Sequence, residues 1–301
     1  MGYLFLLIAL FAGTAKGYCG KKTGNLTADV KDAVAVNVLR MLFCIPIGLA
    51  VVFLQGQVGR LTLGLDALLI IVTSGICTAV FVITWLLAVR KNAYMMLEIS
   101  LMLGVLVPIC ASYCFFDETI SLNEIVGIVF LMVATRIMVS YNNSQKQRLT
   151  PVTVLLLILC GLSYGLTDFA QKAFVKTVDQ APVSVFNFYT YAISFALLLI
   201  LLFCFGEKTL KAAAASVKKV CTTAVGYVFI MAICLFAYSY FKTLAAKYLD
   251  AAQLYPLSQG ASLILSSLMA TVCFKERLTV KCAVGILLAF IGLIFINMLS
   301  F

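Results

Sequence analysis

The chain has 301 residues, 63% of them hydrophobic and only 11% charged, with a mean hydropathy of +1.10. That balance excludes a soluble globular domain. Lys and Arg (22) outnumber Asp and Glu (12) for a net charge of +10, and the complete lack of His excludes a His-based triad, a His–metal site and a His proton relay within the chain.

Apolar stretches near the length needed to cross a hydrocarbon core of about 30 Å recur from end to end. Ten spans are predicted, at 2–20, 33–54, 65–88, 93–115, 122–141, 152–171, 183–205, 220–242, 251–273 and 280–299. The first could be mistaken for a signal peptide. It has no basic n-region, and Lys21-Lys22 follow the apolar run instead of preceding it, so it is expected to be span 1. Span 2 carries Arg40 and Pro46. Spans 3 and 4 are joined only by Arg90-Lys91-Asn92, which makes them antiparallel neighbours. Span 4 contains Glu98 and Pro108, span 6 contains Asp168, and span 7 is rich in Phe and Tyr around Phe186–Tyr191. The sequence GEKTLKAAAASVKK before span 8 reads as the longest polar loop.

The chain also repeats itself. Asn92–Val139 matches Asp250–Asn297 without a gap at an offset of 158 residues, with Ala93 over Ala251, Ser100 over Ser258, Phe116 over Phe274 and Glu118 over Glu276. Gly13 likewise lies over Gly165, which puts Lys16 over Asp168. Two halves are therefore expected, 1–145 and 146–301. In a membrane protein a half-chain repeat points to a transporter whose site lies between the halves. Five spans per half reverse the second half. The two copies of one turn carry opposite charge, FDETISLNE against FKERLTVK, as that reversal would require. Fourteen Lys and Arg gather at one set of loops; Arg60, Lys172, Lys176, Lys242 and Lys247 make up the other set. The positive-inside bias then places the odd-numbered loops in the cytoplasm and both termini outside, in a multi-pass protein of the cell membrane.

Several motifs converge on one family. The turn F-x-E followed by a span opening V-G-I occurs twice. A-V-R-K-N-A leads into span 4 and is echoed by A-K-Y-L-D-A before span 9. Y-P-L-S stands at Tyr255–Ser258, and L-R at Leu39-Arg40. In these features the whole chain resembles the drug/metabolite transporter superfamily, of the EamA type. The resemblance implies an all-α integral membrane fold, ten transmembrane helices as two inverted five-helix repeats, and passage of small organic molecules by alternating access. It also implies a central cavity lined by spans 1, 3, 4, 6, 8 and 9. The lack of a basic C-terminal tail and the direction of the charge bias depart from many members.

A charge in the hydrocarbon costs about 2.5–3.5 kcal/mol, so such residues face a cavity or a partner. Lys16, Glu98, Asp168 and Lys242 qualify. Glu98, with Tyr94 one turn before it, is the candidate for a substrate ammonium or for proton coupling; reach back to Arg90 or Lys91 is the bland reading. Its repeat counterpart is Pro256, so symmetry assigns it no architectural role. Lys16–Glu98 and Asp168–Lys242 read as opposed pairs that form alternately as inner and outer gates, against snorkelling of Lys16 and an i, i+4 pair of Asp168 with Lys172. Tyr164, Tyr238 and Tyr255, with Phe169, Phe188, Tyr189, Tyr191 and Tyr240, could box an organic cation, although packing or an interfacial belt explains them too, as it does Trp85. Arg136 is expected to snorkel, and Glu118 and Glu276 to meet the positive ends of spans 5 and 10. GLSYG at 161–165 matches G-x-S-x-G. Without His or a preceding strand it is better read as small residues allowing close helix approach, as are Gly13 with Gly17 and Ser262 with Ser266. The eleven cysteines form no C-x-x-C pair and read as buried small hydrophobes, Cys110 and Cys114 sharing one face.

The expected function is a secondary transporter for a small organic metabolite: an amino acid, an amine or similar polar solute, or a drug. The alternatives are an intramembrane enzyme, or a channel or scramblase on the same polytopic scaffold. Missing His and the absence of a dense polar cluster argue against an enzyme. A channel would show rings of like charge or a filter motif. No metal or cofactor is expected beyond proton or ion coupling. The expected partners are the solute and membrane lipid, not nucleic acid, and a homodimer stays open.

Overall fold

The computed structural model describes residues 1–24, 30–90, 94–140, 151–178, 180–205, 210–274 and 280–297. Among these residues there is no strand, and the helices run α1 Gly2–Gly24, α2 Val30–Leu54, α3 Leu65–Arg90, α4 Tyr94–Gly104, α5 Leu106–Phe116, α6 Leu122–Ser140, α7 Pro151–Thr177, α8 Val183–Phe205, α9 Leu210–Ala245, α10 Ala251–Phe274 and α11 Val280–Asn297. A bilayer leaves a backbone no water to bond, and a helix satisfies its own groups, so ten apolar runs become ten helical segments. Six of the described helices (α1, α2, α3, α7, α8 and α9) are individually long and apolar enough to cross a membrane.

Two segments differ from expectation. Span 4 is broken into α4 and α5 at Val105, three residues before Pro108. Pro108 has no N–H to offer the Gly104 carbonyl, and its ring crowds that same turn. The expected polar loop before span 8 is helical from Leu210, because the Ala212–Ala215 run has the highest helix propensity available and carries α9 past the apolar boundary. Pro151 opens α7 at its first helical position, where a missing N–H costs nothing.

Outward faces are apolar. Leu155, Ile158, Leu162 and Leu166 form one exposed stripe on α7, and Val284, Leu287, Phe290 and Ile294 form another on α11. A helix that is apolar all round suits lipid on one side and protein on the other. Cys19, Cys44, Cys77 and Cys160 are buried as expected, but Cys110, Cys114, Cys204 and Cys273 are exposed on these outer faces. Their weakly polar thiols can lie in either setting.

Glycines set the closest approaches. Gly161 lies against the Ser100 backbone and Gly165 against the Gly104 carbonyl and Val107, so GLSYG is where α7 meets α4 and α5. Ser100 Oγ donates to the Leu157 carbonyl on the same contact. Gly13 receives the Tyr238 ring, and Gly2 meets Tyr248 and Leu249, so α1 and α9 run antiparallel. The principal packing pairs are α1 with α9, α3 with α7, α2 with α8, and α6 with α11. Taking α7 to α11 as counterparts of α1, α2, α3, α4–α5 and α6, exchange of the halves swaps the first two pairs and returns each of the last two to itself.

Candidate functional site

Asp168 lies on α7 and Lys242 on α9, and both side chains are buried, at 3% and 0% exposure. Lys242 Nζ stands 2.8 Å from each carboxylate oxygen of Asp168. It also donates to Tyr164 Oη at 3.0 Å and Tyr238 Oη at 3.2 Å. An ammonium has three donors and no acceptor, so these oxygens share its protons and leave none idle. The rings of Tyr164, Tyr238 and Tyr255 surround the same nitrogen at 4.9, 5.3 and 5.2 Å from their centroids. Three of the tyrosines singled out in the sequence thus surround the protein's own Lys242, whereas the box for an organic cation was expected next to Glu98, whose side chain lies outside the described residues. Tyr255 Oη donates to the Asp168 carbonyl at 2.6 Å, tying α10 to α7, and Tyr164 Oη reaches Gln259 Oε1 at 3.3 Å. Beside this group, Gln171 donates to Ser239, and Ser239 to Asn187 Oδ1 at 2.6 Å, linking α7, α9 and α8.

Lys16 on α1 places its ammonium 4.3 Å from the Tyr238 ring centroid, on the side of that ring leading to a cavity. Among the described residues the cavity is lined by Lys16, Arg40, Phe81, Val82, Trp85, Met231 and Leu235. Its walls come from α1, α2 and α3 of the first half and α9 of the second. Arg40 is 4% exposed, and its Nε has no hydrogen-bond partner. It stands ten residues into α2, about 15 Å along a helix that rises 1.5 Å per residue. Sequence reading had placed Arg40 near the start of its span and had not counted it among the membrane charges. The earlier helix start at Val30 moves it to mid-helix. Trp85, read as packing or belt, is a wall of the cavity with its ring against Gly20.

A second buried cluster closes the neighbouring end of the bundle. Asp117 adopts a left-handed backbone (φ 51) at the C-terminus of α5, which directs the chain into the Glu118 turn. Glu118 Oε1 pairs with Lys172 at 2.8 Å and Lys176 at 3.1 Å, while Oε2 accepts the Ala251 N–H at 2.8 Å. Lys172 also donates to the Leu249 carbonyl at 2.6 Å. Two expectations are corrected here. Lys172 serves Glu118 and not Asp168, because α5 and α10 meet α7 on that face. Glu118 meets the positive end of α10, whereas α6 is capped by its own Ser121–Glu124 box, with Ser121 N–H to Glu124 Oε2 at 2.7 Å and Glu124 N–H to Ser121 Oγ at 3.3 Å.

Burial raises the Glu118 pKa, but the hydrogen bonds from Lys172 and Ala251 and the charges of the two lysines outweigh it and hold the carboxyl below the usual range. A depressed carboxylate contributes stability that is complete above its unfolded pKa, about 4.3, and is lost as pH falls through the folded value. Glu118→Gln is therefore expected to lower the melting temperature in detergent at pH 7, with the gap to wild type closing as the pH drops below about 4. A gap independent of pH would remove the carboxylate from the account.

Lys16, Asp168, Lys242, Tyr164, Tyr238 and Tyr255 thus converge on one locus, and the Asp168–Lys242 pair is formed. Glu98 and Tyr94 lie on α4 with side chains outside the described residues, as does Glu276, so the Lys16–Glu98 pair falls outside them too. Arg136 is exposed on α6. Sequence reading missed Gln259, Asn187 and Ser239, whose single polar groups in apolar runs give little signal until the helices are packed.

A bundle of apolar helices around a buried charged core is that of a multi-pass membrane protein. Residues 151–298 match the EamA-like transporter family, which supports membership of the drug/metabolite transporter superfamily. One crystal structure superposes with a TM-score of 0.71 at 15% identity, covering 99% of this chain and 97% of its own; at that identity the likeness concerns the fold. No curated protein matches the chain in sequence.

Proposed function

We propose that the protein is a secondary transporter that carries a small organic solute across the cell membrane by alternating access between two inverted five-helix repeats, 1–145 and 146–301. One observation supports this most: the cavity holding Lys16 and Arg40 lies between helices of both halves. The Asp168–Lys242 pair, whose Lys242 shares the Tyr238 ring with Lys16, is the element that opens and re-forms during the cycle, and the exchange symmetry of the helix contacts suits an inverted repeat.

The orientation has odd-numbered loops in the cytoplasm and both termini outside. Lys172 and Lys242 are buried in ion pairs, so Arg60, Lys176 and Lys247 alone remain for the outer loops, which sharpens the bias. The test uses proteoliposomes loaded with a candidate solute and presented with labelled solute outside. Saturable counterflow is expected, whereas flux that rises linearly without trans-stimulation marks a pore. Labelling of an added N-terminal cysteine by an impermeant maleimide in intact cells reads the orientation in the same system.

A further inference from the structure

We propose that the solute is an organic anion, held by its carboxylate or phosphate between Lys16 and Arg40 with its apolar body against Trp85 and Phe81. This rests on reading the cavity as the solute site. Among the described residues the cavity wall contains two cationic side chains and no acidic one. Arg40 forms no ion pair among the described residues, is 4% exposed, and its buried Nε has no hydrogen-bond partner. A buried guanidinium donor without an acceptor is costly, and the planar fork it presents matches a carboxylate or phosphate. Lys16 lies against the Tyr238 ring and forms no ion pair among the described residues, and Asp168 is already neutralised by Lys242 at 2.8 Å. An ordinary structural arginine would have its acid in hand, as Lys172 and Lys242 do.

The remaining walls, Trp85, Phe81, Val82, Met231 and Leu235, are apolar or aromatic, so they suit a flat or aliphatic body and would not solvate a second charge. The alternative expectation of a cationic solute drew on Glu98, whose side chain lies outside the described residues.

The experiment measures thermal stabilisation of the purified full chain by a matched set of probes: indole-3-acetate, phenyl phosphate, inorganic phosphate, neutral indole and cationic tryptamine. Any probe that binds only the folded state raises the melting temperature. Indole-3-acetate or phenyl phosphate is expected to stabilise, tryptamine not. Arg40→Gln is expected to weaken the anion at least about 10-fold and Arg40→Lys less, since one charge-assisted contact is lost in the first and kept as a point charge in the second. Inorganic phosphate acting as well as phenyl phosphate would remove the aromatic wall from the proposal. Stabilisation by tryptamine but by no anion, or by no probe at all, overturns it. If Arg40→Gln does not fold, Lys16→Met with the wild-type probe ranking gives the same decision. The two readings fail separately. Anion binding without counterflow sinks the transporter and leaves the anion site, whereas counterflow of a cation untouched by Arg40→Gln does the reverse.

Discussion

Asp168→Ala is expected to unfold the protein more readily than any other single charge removal, with a loss of about 3–5 kcal/mol, because Lys242 stays behind at 0% exposure without its counter-ion. Lys242→Ala should cost a similar amount by stranding Asp168. The double variant Asp168→Leu/Lys242→Met should recover most of the stability, since apolar residues of similar volume replace a buried ion pair at little net cost. Denaturant unfolding in a fixed detergent measures all three. If the pair is the closure element, the double variant folds but loses counterflow, which separates a structural role from a transport role. Single losses below about 1 kcal/mol would show that Tyr164 and Tyr238, both on Lys242 Nζ, suffice without the carboxylate.

The second large effect is steric. A methyl added at Gly165 would run into the Gly104 carbonyl and the Val107 side chain, and the first of these is backbone with nowhere to retreat. Gly165→Ala is expected to cost about 1–3 kcal/mol by prising α7 from α4 and α5, and Gly165→Val more. Gly226 on α9 supplies the control. A Cβ there meets nothing within 4 Å, so Gly226→Ala should instead gain about 0.5–1 kcal/mol from helix propensity. Melting temperatures of the three variants decide it, and a Gly165→Ala protein as stable as wild type would mean that the α7–α4 contact is looser than drawn. Because α7 carries Asp168, the same displacement should also weaken the ion pair, so the two effects should not add independently.

Much of the locus was legible in advance. Lys16, Asp168 and Lys242 stood out because charges in apolar runs are rare and must be accommodated. Arg40 did not, because its significance depends on where α2 starts, and the Val30 start was hidden by the polar residues around Lys31-Asp32. The tyrosines were visible as a bias but not as a cage. Whether Tyr238 faces Lys242 or lipid depends on the rotation of α9 against α1, which Gly13 permits by leaving space for the ring. Partner choice among the ionic residues was the least legible. The i, i+4 rule offered Lys172 to Asp168, and tertiary packing gave it to Glu118 from a different helix.

What the sequence by itself determined was the all-helical membrane class, the apolar runs that become its helical segments, and the family resemblance. Hydropathy and periodic charge act locally, and a bilayer forces each apolar run into a helix whatever its neighbours are. Only the tertiary structure decided which cations are spent and which stand free. Lys242 and Lys172 are taken up by carboxylates brought to them by α7 and the α5–α6 turn, while Lys16 and Arg40 form no ion pair among the described residues. The reason is that lipid gives helix faces almost no chemical preference among themselves, so close approach at Gly161 and Gly165 and the satisfaction of each buried charge select the arrangement.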